Sequence, residues 1–193
     1  MKIKFKNKTI VIRSPFVVYK YPTMVSYGLT NRTSDNYFMV FLDYDLVEDK
    51  VVLEDVNFLQ KNFNLGNALI RISSKEYVKE KGCLVGSFHV FFFTKLLFPE
   101  VKEIISLTRC DSHFKYGYKY QQRCWVLRIG EKLENNTIKK PFTKFYKFIP
   151  HKTMRVSSKG LIKFFSLIDS KNYKKKFKKI DNLNNIEIIN YAT

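Results

Sequence analysis

The sequence has only three cysteines, Cys83, Cys110 and Cys124, and none of them belongs to a C-x-x-C pair. An odd number of widely spaced cysteines argues against both a disulfide framework and a structural zinc site. We therefore expect the three side chains to be buried hydrophobic groups in a protein of the reducing cytoplasm.

Long apolar runs are also missing from the chain. No stretch reaches the ~18–20 apolar residues that a membrane span requires. Residues 1–6 alternate between apolar and basic types and lack the apolar core of a signal peptide. The sequence therefore predicts neither a membrane span nor a signal peptide.

Acidic residues are scarce, because 17 Asp and Glu stand against 35 Lys and Arg, which gives a formal net charge of +18. A charge of this size bears on partners and not on the fold. Nucleic acid is the first candidate partner because phosphate contacts dominate such affinities, and a membrane surface is the second. Compositional drift in an AT-rich genome would contribute to the same excess. A length of 193 residues with an apolar fraction of 45% predicts one domain, or one domain with a small appendage, and a substantial core.

The most informative stretch is YFMVFLDYD, residues 37–45. Six apolar residues in a row predict a strand that is buried on both faces. Asp43 and Asp45 follow at a spacing of two, which places both carboxylates on one side of a strand. A divalent cation with oxygen ligands would relieve their repulsion. The simpler interpretation is a pair of solvated turn residues where the strand ends.

Hydrophobic periodicity predicts the remaining elements. Before residue 37 we expect an N-terminal β-hairpin at 2–13, a short strand at 16–19 and a loop at 27–36. From residue 37 we expect strand 37–43, helix 52–63, strands 68–72 and 84–93, helix 99–107 and strand 118–129. This βαββαβ order predicts an α+β fold of the RRM-like or ferredoxin-like type, a four-stranded antiparallel sheet with helices on one face and an open face for a ligand. Further on we expect a strand at 142–149, a helix at 157–168 and a lysine-rich segment at 171–179.

Two further motifs carry polar side chains near this sheet. Ser87 and His89 share one face of the strand at 84–93, where a hydroxyl and a protonated imidazole can bind phosphate oxygens. A histidine buried in the core is the alternative interpretation. Asp111 follows the second helix and would complete a carboxylate cluster, or would be an ordinary acid at a helix end. Cations that could reach a triphosphate or a template follow it, or else form a solvated basic face: Lys115, Lys119, Arg123, Arg128 and Lys132.

A D-x-D at the end of an apolar strand, an S-x-H in a second strand and a later Asp, in this order, resemble the three-motif signature of the archaeo-eukaryotic primase (AEP) superfamily. The resemblance covers about residues 37–130, the palm core. It implies that Asp43, Asp45 and Asp111 hold two Mg²⁺ or Mn²⁺ ions, and that Ser87 and His89 contact the phosphates of the incoming nucleotide. One ion would activate the attacking 3′-hydroxyl and the other would neutralise the leaving pyrophosphate.

The resemblance implies a template-directed nucleotidyltransferase, a DNA primase or primase-polymerase that uses nucleoside triphosphates on a single-stranded DNA template. Residues 1–150 would form the catalytic domain, and residues 151–193 a basic C-terminal helical extension. Cys110 departs from the family, in which an aliphatic residue usually precedes the third aspartate. The sequence shows neither a zinc module nor a helicase, so a helicase or an accessory primase subunit would be a separate chain. Lys115, Arg123 and Arg128 would bind the nucleotide. Six lysines would bind nucleic acid or else form a solvated basic end: Lys171, Lys174, Lys175, Lys176, Lys178 and Lys179.

Two other classes of function compete with this interpretation. A non-catalytic RRM-like protein that binds single-stranded nucleic acid would explain the charge and the aromatic residues, but it gives the D-x-D and S-x-H motifs no role. A metal-dependent nuclease could use Asp43, Asp45, Asp111 and His113. Replication nucleases of the two-histidine type require H-x-H, which the three histidines of this chain do not form.

Overall fold

The computed structural model describes residues 2–5, 8–11, 16–20, 25–33, 36–78, 83–120, 123–128, 132–134, 137–139, 144–151, 154–156 and 188–190. Within these ranges the chain forms a mixed α+β fold, as predicted, with three α-helices and a 3-10 turn at Gly117–Lys119. The helices are α1 (Asp49–Phe63), α2 (Phe98–Ser106) and α3 (Ser112–Tyr116). The strands are β1 (Lys2–Phe5), β2 (Lys8–Val11), β3 (Phe16–Lys20), β4 (Val25–Thr30), β5 (Phe41–Glu48), β6 (Ala68–Val78), β7 (Cys83–Phe92), β8 (Val126–Arg128), β9 (Lys132–Glu134), β10 (Thr137–Lys139), β11 (Lys144–Ile149), β12 (Met154–Val156) and β13 (Ile188–Asn190).

The largest sheet has four strands in the order β11-β6-β7-β5, and all neighbouring strands are antiparallel. Strand β7 lies between β5 and β6, which are connected by α1. The order β5-α1-β6-β7-α2 is that of the first five elements predicted for the palm core. This part of the fold is therefore compatible with the predicted βαββαβ arrangement.

The two longer helices form where apolar residues recur at helical spacing. Helix α1 buries Val52, Val56 and Leu59, which the helical period places on one face. It ends at Asn64, whose left-handed conformation (φ 49°) terminates the helical hydrogen bonding. Helix α2 carries Pro99 in its first turn, where a missing backbone N–H costs nothing. Both helices are close to their predicted positions, although α1 begins at Asp49.

The predicted last strand of the palm core, 118–129, is wrong in extent and in partner. Residues up to 120 form α3 and the 3-10 turn, and only Val126–Arg128 is a strand. That strand, β8, pairs with β4 in a separate three-stranded sheet of order β3-β4-β8. The reason lies at Asn31, a fully buried residue whose side-chain oxygen accepts the Trp125 N–H (2.9 Å) and whose own N–H donates to the Trp125 carbonyl (3.0 Å). These bonds tie β8 to the end of β4.

Several element boundaries also differ from the predictions. The strand predicted at 37–43 is β5, which begins at Phe41 and runs past both aspartates to Glu48. The connections predicted at 46–50 and 73–82 are largely parts of β5, α1 and β6. The predicted loop at 27–36 includes the end of β4. Charged residues misled the prediction here, because the edges and ends of strands tolerate solvated side chains.

Other predictions from the sequence hold. The N-terminal hairpin is present as β1 and β2, the short strand at 16–19 is β3, and the strand at 142–149 is β11. Cys110 and Cys124 are free and buried, whereas the Cys83 side chain lies outside the described residues.

The predicted helix at 157–168 and the lysine-rich segment also lie outside the described residues. No helix in the described part of the chain is long and apolar enough to cross a membrane.

Candidate functional site

Three ionisable side chains form a row across the centre of the large sheet. Asp43 on β5 lies directly opposite His89 on β7, and His89 lies directly opposite Arg71 on β6. Residues that face each other across antiparallel strands project to the same side of the sheet. The Nε2 atom of His89 accordingly lies 3.4 Å from Oδ1 of Asp43. The sequence predicted that the strands of Asp43 and His89 belong to one sheet, but it did not predict that Arg71 joins the row.

The face that carries this row is not the open face that the sequence predicted. Phe41, Leu69 and Phe91, which share this face, are completely buried. His89 is 6% and Arg71 2% exposed, whereas the Asp43 side chain retains 27% of its accessible surface. Solvent therefore reaches the row from the Asp43 end. The prediction of an exposed ligand-binding face is wrong because aromatic and aliphatic residues on this side also join the core.

His89 differs from its predicted state. Burial first, and then the positive charges of Arg71 and Arg128, lower the pKa of His89 well below its ordinary value. The imidazole is therefore neutral at physiological pH and has one N–H to donate, not two. Its Nδ1 is buried and has no hydrogen-bond partner among the described residues. A role as a protonated phosphate ligand does not suit this environment.

Asp43 has the opposite shift. Burial, followed by the charges of Asp45 and Asp111, raises the pKa of Asp43 to about 7, although Arg128 and Arg71 act in the other direction. The two other carboxylates of the predicted cluster therefore lie close enough to repel the charge on Asp43. The structure therefore places Asp111 near the D-x-D motif, and a metal site shared by the three aspartates stays a prediction.

Asp111 is fixed beside Asp43 by its backbone. Its N–H donates to the carbonyl oxygen of Asp43 at a distance of 2.7 Å. Its Oδ1 accepts the N–H of Phe114 at 2.8 Å, so that Asp111 caps the first turn of α3. The two interpretations of this residue are therefore compatible: it is an acid at a helix terminus, and it also stands next to the D-x-D motif.

A β-bulge takes the second aspartate of the D-x-D motif out of regular strand pairing. The β5–β7 register shifts between Tyr44 and Val47, which leaves Asp45 and Leu46 outside the ladder. Leu46 has φ 52°, a left-handed conformation that is unfavourable for a residue with a branched side chain. Asp45 is exposed at this bulge. Ser87, on the same strand as His89, is 8% exposed and lies across from the bulge.

A hydrogen-bond network on the helical side of the sheet holds the two acidic motifs together. The buried Asp55 of α1 accepts the hydroxyl of Tyr44 (2.9 Å), the N–H of Arg109 (2.7 Å) and the Nε–H of Arg109 (2.8 Å). Burial and the charge of Asp55 raise the pKa of Tyr44, which therefore remains a donor. Tyr44 separates Asp43 from Asp45, and Arg109 precedes Asp111 by two residues. Sequence reasoning missed this network, whose one visible signal was an acid on the apolar side of α1, between Val52 and Val56.

The cations predicted to bind a nucleotide are distributed unevenly. Arg128 on β8 is half-buried, and its charge acts on both Asp43 and His89, so it belongs to the site. The Nζ of Lys115 donates to the carbonyl of Ser106 at 3.4 Å. Arg123 is exposed, and its backbone N–H donates to the carbonyl of Tyr118. His113, the candidate nuclease ligand, is exposed on α3. The six C-terminal lysines lie outside the described residues.

The side chains around Asp43 offer carboxylate oxygens as possible ligands for a divalent cation. Among the described residues, no three His, Cys, Asp or Glu side chains lie close enough together to hold a metal ion. The carboxylates therefore do not form a closed cage. Their chemistry nevertheless fits Mg²⁺ or Mn²⁺, because hard cations prefer carboxylate oxygens and would offset the repulsion that raises the pKa of Asp43.

Comparisons with known proteins add no assignment. The chain matches no protein-family model, no curated protein and no solved structure.

Proposed function

We propose that this protein is a template-directed nucleotidyltransferase, of the DNA primase or primase-polymerase type, whose site lies at Asp43, Asp45 and Asp111. The observation that carries the proposal is the position of Asp111 beside the D-x-D motif, where its N–H donates to the Asp43 carbonyl at 2.7 Å and its charge, with that of Asp45, raises the pKa of Asp43. Repelling carboxylates at a partly exposed position are destabilising without a cation. Such arrangements are retained where a divalent ion binds.

The proposal assigns roles to six side chains at and around Asp43. Asp43, Asp45 and the free oxygen of Asp111 would hold two divalent ions, which supply Lewis-acid activation of the 3′-hydroxyl and charge neutralisation at the pyrophosphate. Arg128 places a positive charge beside them for the triphosphate. Neutral His89 donates a single N–H at the same place, and Ser87 adds a hydroxyl across from the bulge.

The finer fold assignment belongs to the same proposal. The order β5-α1-β6-β7-α2 supports a palm of the RRM-like or ferredoxin-like type, with Asp43 on the edge strand β5. A catalytic domain at 1–150 and a basic extension at 151–193 stay predictions, as does the binding of nucleic acid by the lysines at 171–179.

The second candidate is a non-catalytic protein that binds single-stranded nucleic acid. The net charge of +18 favours it as much as it favours the polymerase. The burial of Phe41 and Phe91 weighs against the usual RRM mode, in which bases stack on exposed aromatic residues of the sheet.

Nucleotide incorporation on a single-stranded template distinguishes these candidates. We expect the wild-type protein with Mn²⁺ or Mg²⁺ to extend or initiate a strand. The double variant Asp43→Asn/Asp45→Asn should lose activity by at least about 100-fold, because the ions supply several kcal/mol of transition-state stabilisation.

Glu103→Gln is the matched control, since it removes one carboxylate from an exposed position on α2. Mn²⁺ affinity, measured by calorimetry on the same proteins, gives a readout that does not depend on turnover. A folded wild-type protein that binds single strands but incorporates nothing under any metal condition would support the second candidate.

A further inference from the structure

The segment that follows Asp111 is basic and rich in tyrosine. Residues 112–128 contain no Asp or Glu. Tyrosines stand at positions 116, 118 and 120, and four Lys or Arg side chains accompany them: Lys115, Lys119, Arg123 and Arg128. A segment with this composition is suited to a polyanion and unsuited to a basic partner.

The middle tyrosine anchors the segment to the core. The ring of Tyr118 packs against Phe98 and Trp125, with centroid distances of 5.7 and 5.1 Å. Trp125 is completely buried, and its Nε1–H donates to the carbonyl of Lys115 at 3.3 Å. The Arg123 N–H donates to the Tyr118 carbonyl at 3.1 Å. The backbone on both sides of Tyr118 is therefore held in place.

The two flanking tyrosines are left at the surface. Tyr116 is 57% and Tyr120 is 87% exposed, the latter being the most exposed large aromatic or aliphatic residue among those described. The Nζ of Lys119 lies 5.1 Å from the centroid of the Tyr116 ring. Aromatic rings exposed on a fixed backbone contribute nothing to the core, and they lose little conformational entropy when a flat ligand stacks on them.

We infer that Tyr116 and Tyr120, with Lys119 and Arg123, form a surface on which the bases of single-stranded nucleic acid stack. We call these four residues the tyrosine surface. Tyrosine rings stack on bases of any sequence, and the flanking cations contact the phosphates between them. Single-stranded nucleic acid is the partner that presents both a flat aromatic group and a negative charge at every residue.

The position of the tyrosine surface suits a template strand. Tyr116 follows Asp111 by five residues of helix, and a helix rises about 1.5 Å per residue, so the two backbones are within about 8 Å along the axis of α3. This assignment to the template rests on the proposed function. The binding of single strands does not, because it requires neither the carboxylates nor a metal ion.

The test measures the binding of two fluorescent 16-mers in EDTA, without nucleotides. One is a mixed-sequence single-stranded DNA, and the other is an abasic sugar-phosphate chain with the same number of phosphates. We expect Tyr116→Ala/Tyr120→Ala to weaken binding of the first by about tenfold or more, since each base–aromatic stack contributes measurably to affinity. Binding of the abasic chain should stay within about twofold of wild type. Lys119→Gln should instead weaken both ligands.

Tyr37→Ala is the matched control, because Tyr37 is a 42% exposed tyrosine outside the segment and should leave both affinities unchanged. Circular dichroism and thermal unfolding check the fold of each variant, and the single substitution Tyr120→Ala removes only an exposed ring. The inference is overturned if the double variant binds the DNA like wild type, if it loses the abasic chain equally, or if Tyr37→Ala has the same effect. If Tyr116→Ala/Tyr120→Ala loses base-dependent binding while the wild-type protein never incorporates nucleotides, the tyrosine surface stands and the proposed function is rejected.

Discussion

At Asp43, burial and two neighbouring carboxylates raise the pKa, while two arginines lower it, and the outcome is about 7. This carboxyl group therefore titrates in the physiological range, unlike an ordinary aspartate. Its partner His89 is shifted in the other direction and remains neutral. The pair consequently changes its net charge near neutral pH through the aspartate and not through the histidine.

The shift at Asp43 predicts how stability depends on pH in metal-free protein. The folded state binds the Asp43 proton more tightly than the unfolded chain does, so the stabilisation is complete below pH 3.8 and is lost as the pH rises through about 7. We expect the difference in free energy of unfolding between wild type and Asp43→Asn to fall over this window by at most about 4 kcal/mol, since each pKa unit corresponds to about 1.36 kcal/mol. Partial exposure of the side chain reduces that figure.

Urea unfolding of both proteins in EDTA, at several pH values between 4.5 and 8, measures this difference. His89 opposes the trend because its lowered pKa removes stability as the pH falls below 6.5, but it is present in both proteins and largely cancels. Glu103→Gln serves as the comparison for an exposed acid. A difference that does not change with pH would contradict the shifted pKa.

At the level of single residues, the sequence predicted those parts of the site that depend on local period. Asp43, Asp45 and the face shared by Ser87 and His89 follow from the alternation of a strand. Arg71 could not be found in this way, because an arginine between Ile70 and Ile72 becomes part of the site only through the register of two other strands. The neutral state of His89 depends on the same non-local arrangement.

At the level of elements, Asp55 joins α1 to the strand and to the turn that carry the acids. It accepts bonds from Tyr44 and Arg109, while the other end of the Arg109 guanidinium reaches Glu54 (2.9 Å) and the carbonyl of Val51 (3.0 Å). The contact with Tyr44 is buried and the contact with the Arg109 backbone is partly buried, whereas the contact with Glu54 is exposed. The two acids on neighbouring positions of one helix thus bind the same arginine in different environments.

This contrast gives a prediction with an internal control. Asp55→Ala should lower the free energy of unfolding by about 3 kcal/mol, because it leaves the Tyr44 hydroxyl without its partner and breaks a partly buried ion pair. Glu54→Ala removes an exposed partner of the same arginine and should cost less than about 1 kcal/mol. Chemical denaturation of the two variants measures both values. Equal losses of unfolding free energy in the two variants would contradict the larger contribution that we expect from the buried contacts.

The elements themselves were predictable where the pattern was long and local. Helices α1 and α2 and the strands β5, β6 and β7 each contain an apolar pattern that reveals the element, and their order follows from these patterns. The last strand was not predictable, because the aromatic run at residues 116–120 fits a strand as well as a helix. A helix begins here because Asp111 caps its first turn. The strand is confined to β8 because Trp125 bonds to Asn31, 94 residues away in the sequence.

At the level of the whole molecule, the excess of 18 positive charges dominates any encounter with a polyanion. Among the described residues the large sheet contributes little exposed apolar surface on the Asp43 side, so attraction must come mainly from charge and from peripheral aromatic groups. The prediction of nucleic-acid binding rests on this excess of positive charge. It could be made from the sequence alone, because net charge does not depend on the fold.

We therefore expect the affinity for a single-stranded 16-mer to fall by about 100-fold or more between 50 and 200 mM salt, as counterions compete for about six or more phosphate contacts. Fluorescence anisotropy across a salt series gives the slope. A peptide nucleic acid of the same base sequence, which has an uncharged backbone, is the control ligand and should bind weakly with little dependence on salt. A shallow slope for the DNA would argue that the charge does not act at the binding surface.

The bulge at Asp45 and Leu46 has a consequence for the helix that follows it. Strand β5 passes into α1 with no intervening loop, so each residue added or removed before Asp49 rotates the helix by about 100° about its axis. Removing Leu46 would relieve its left-handed backbone, but it would also turn Asp55 away from Tyr44 and Arg109. Leu46, in spite of its unfavourable backbone, thus sets how α1 is rotated about its axis relative to the alternating faces of β5. A shorter and more regular strand would separate the two acidic motifs that the longer one brings together.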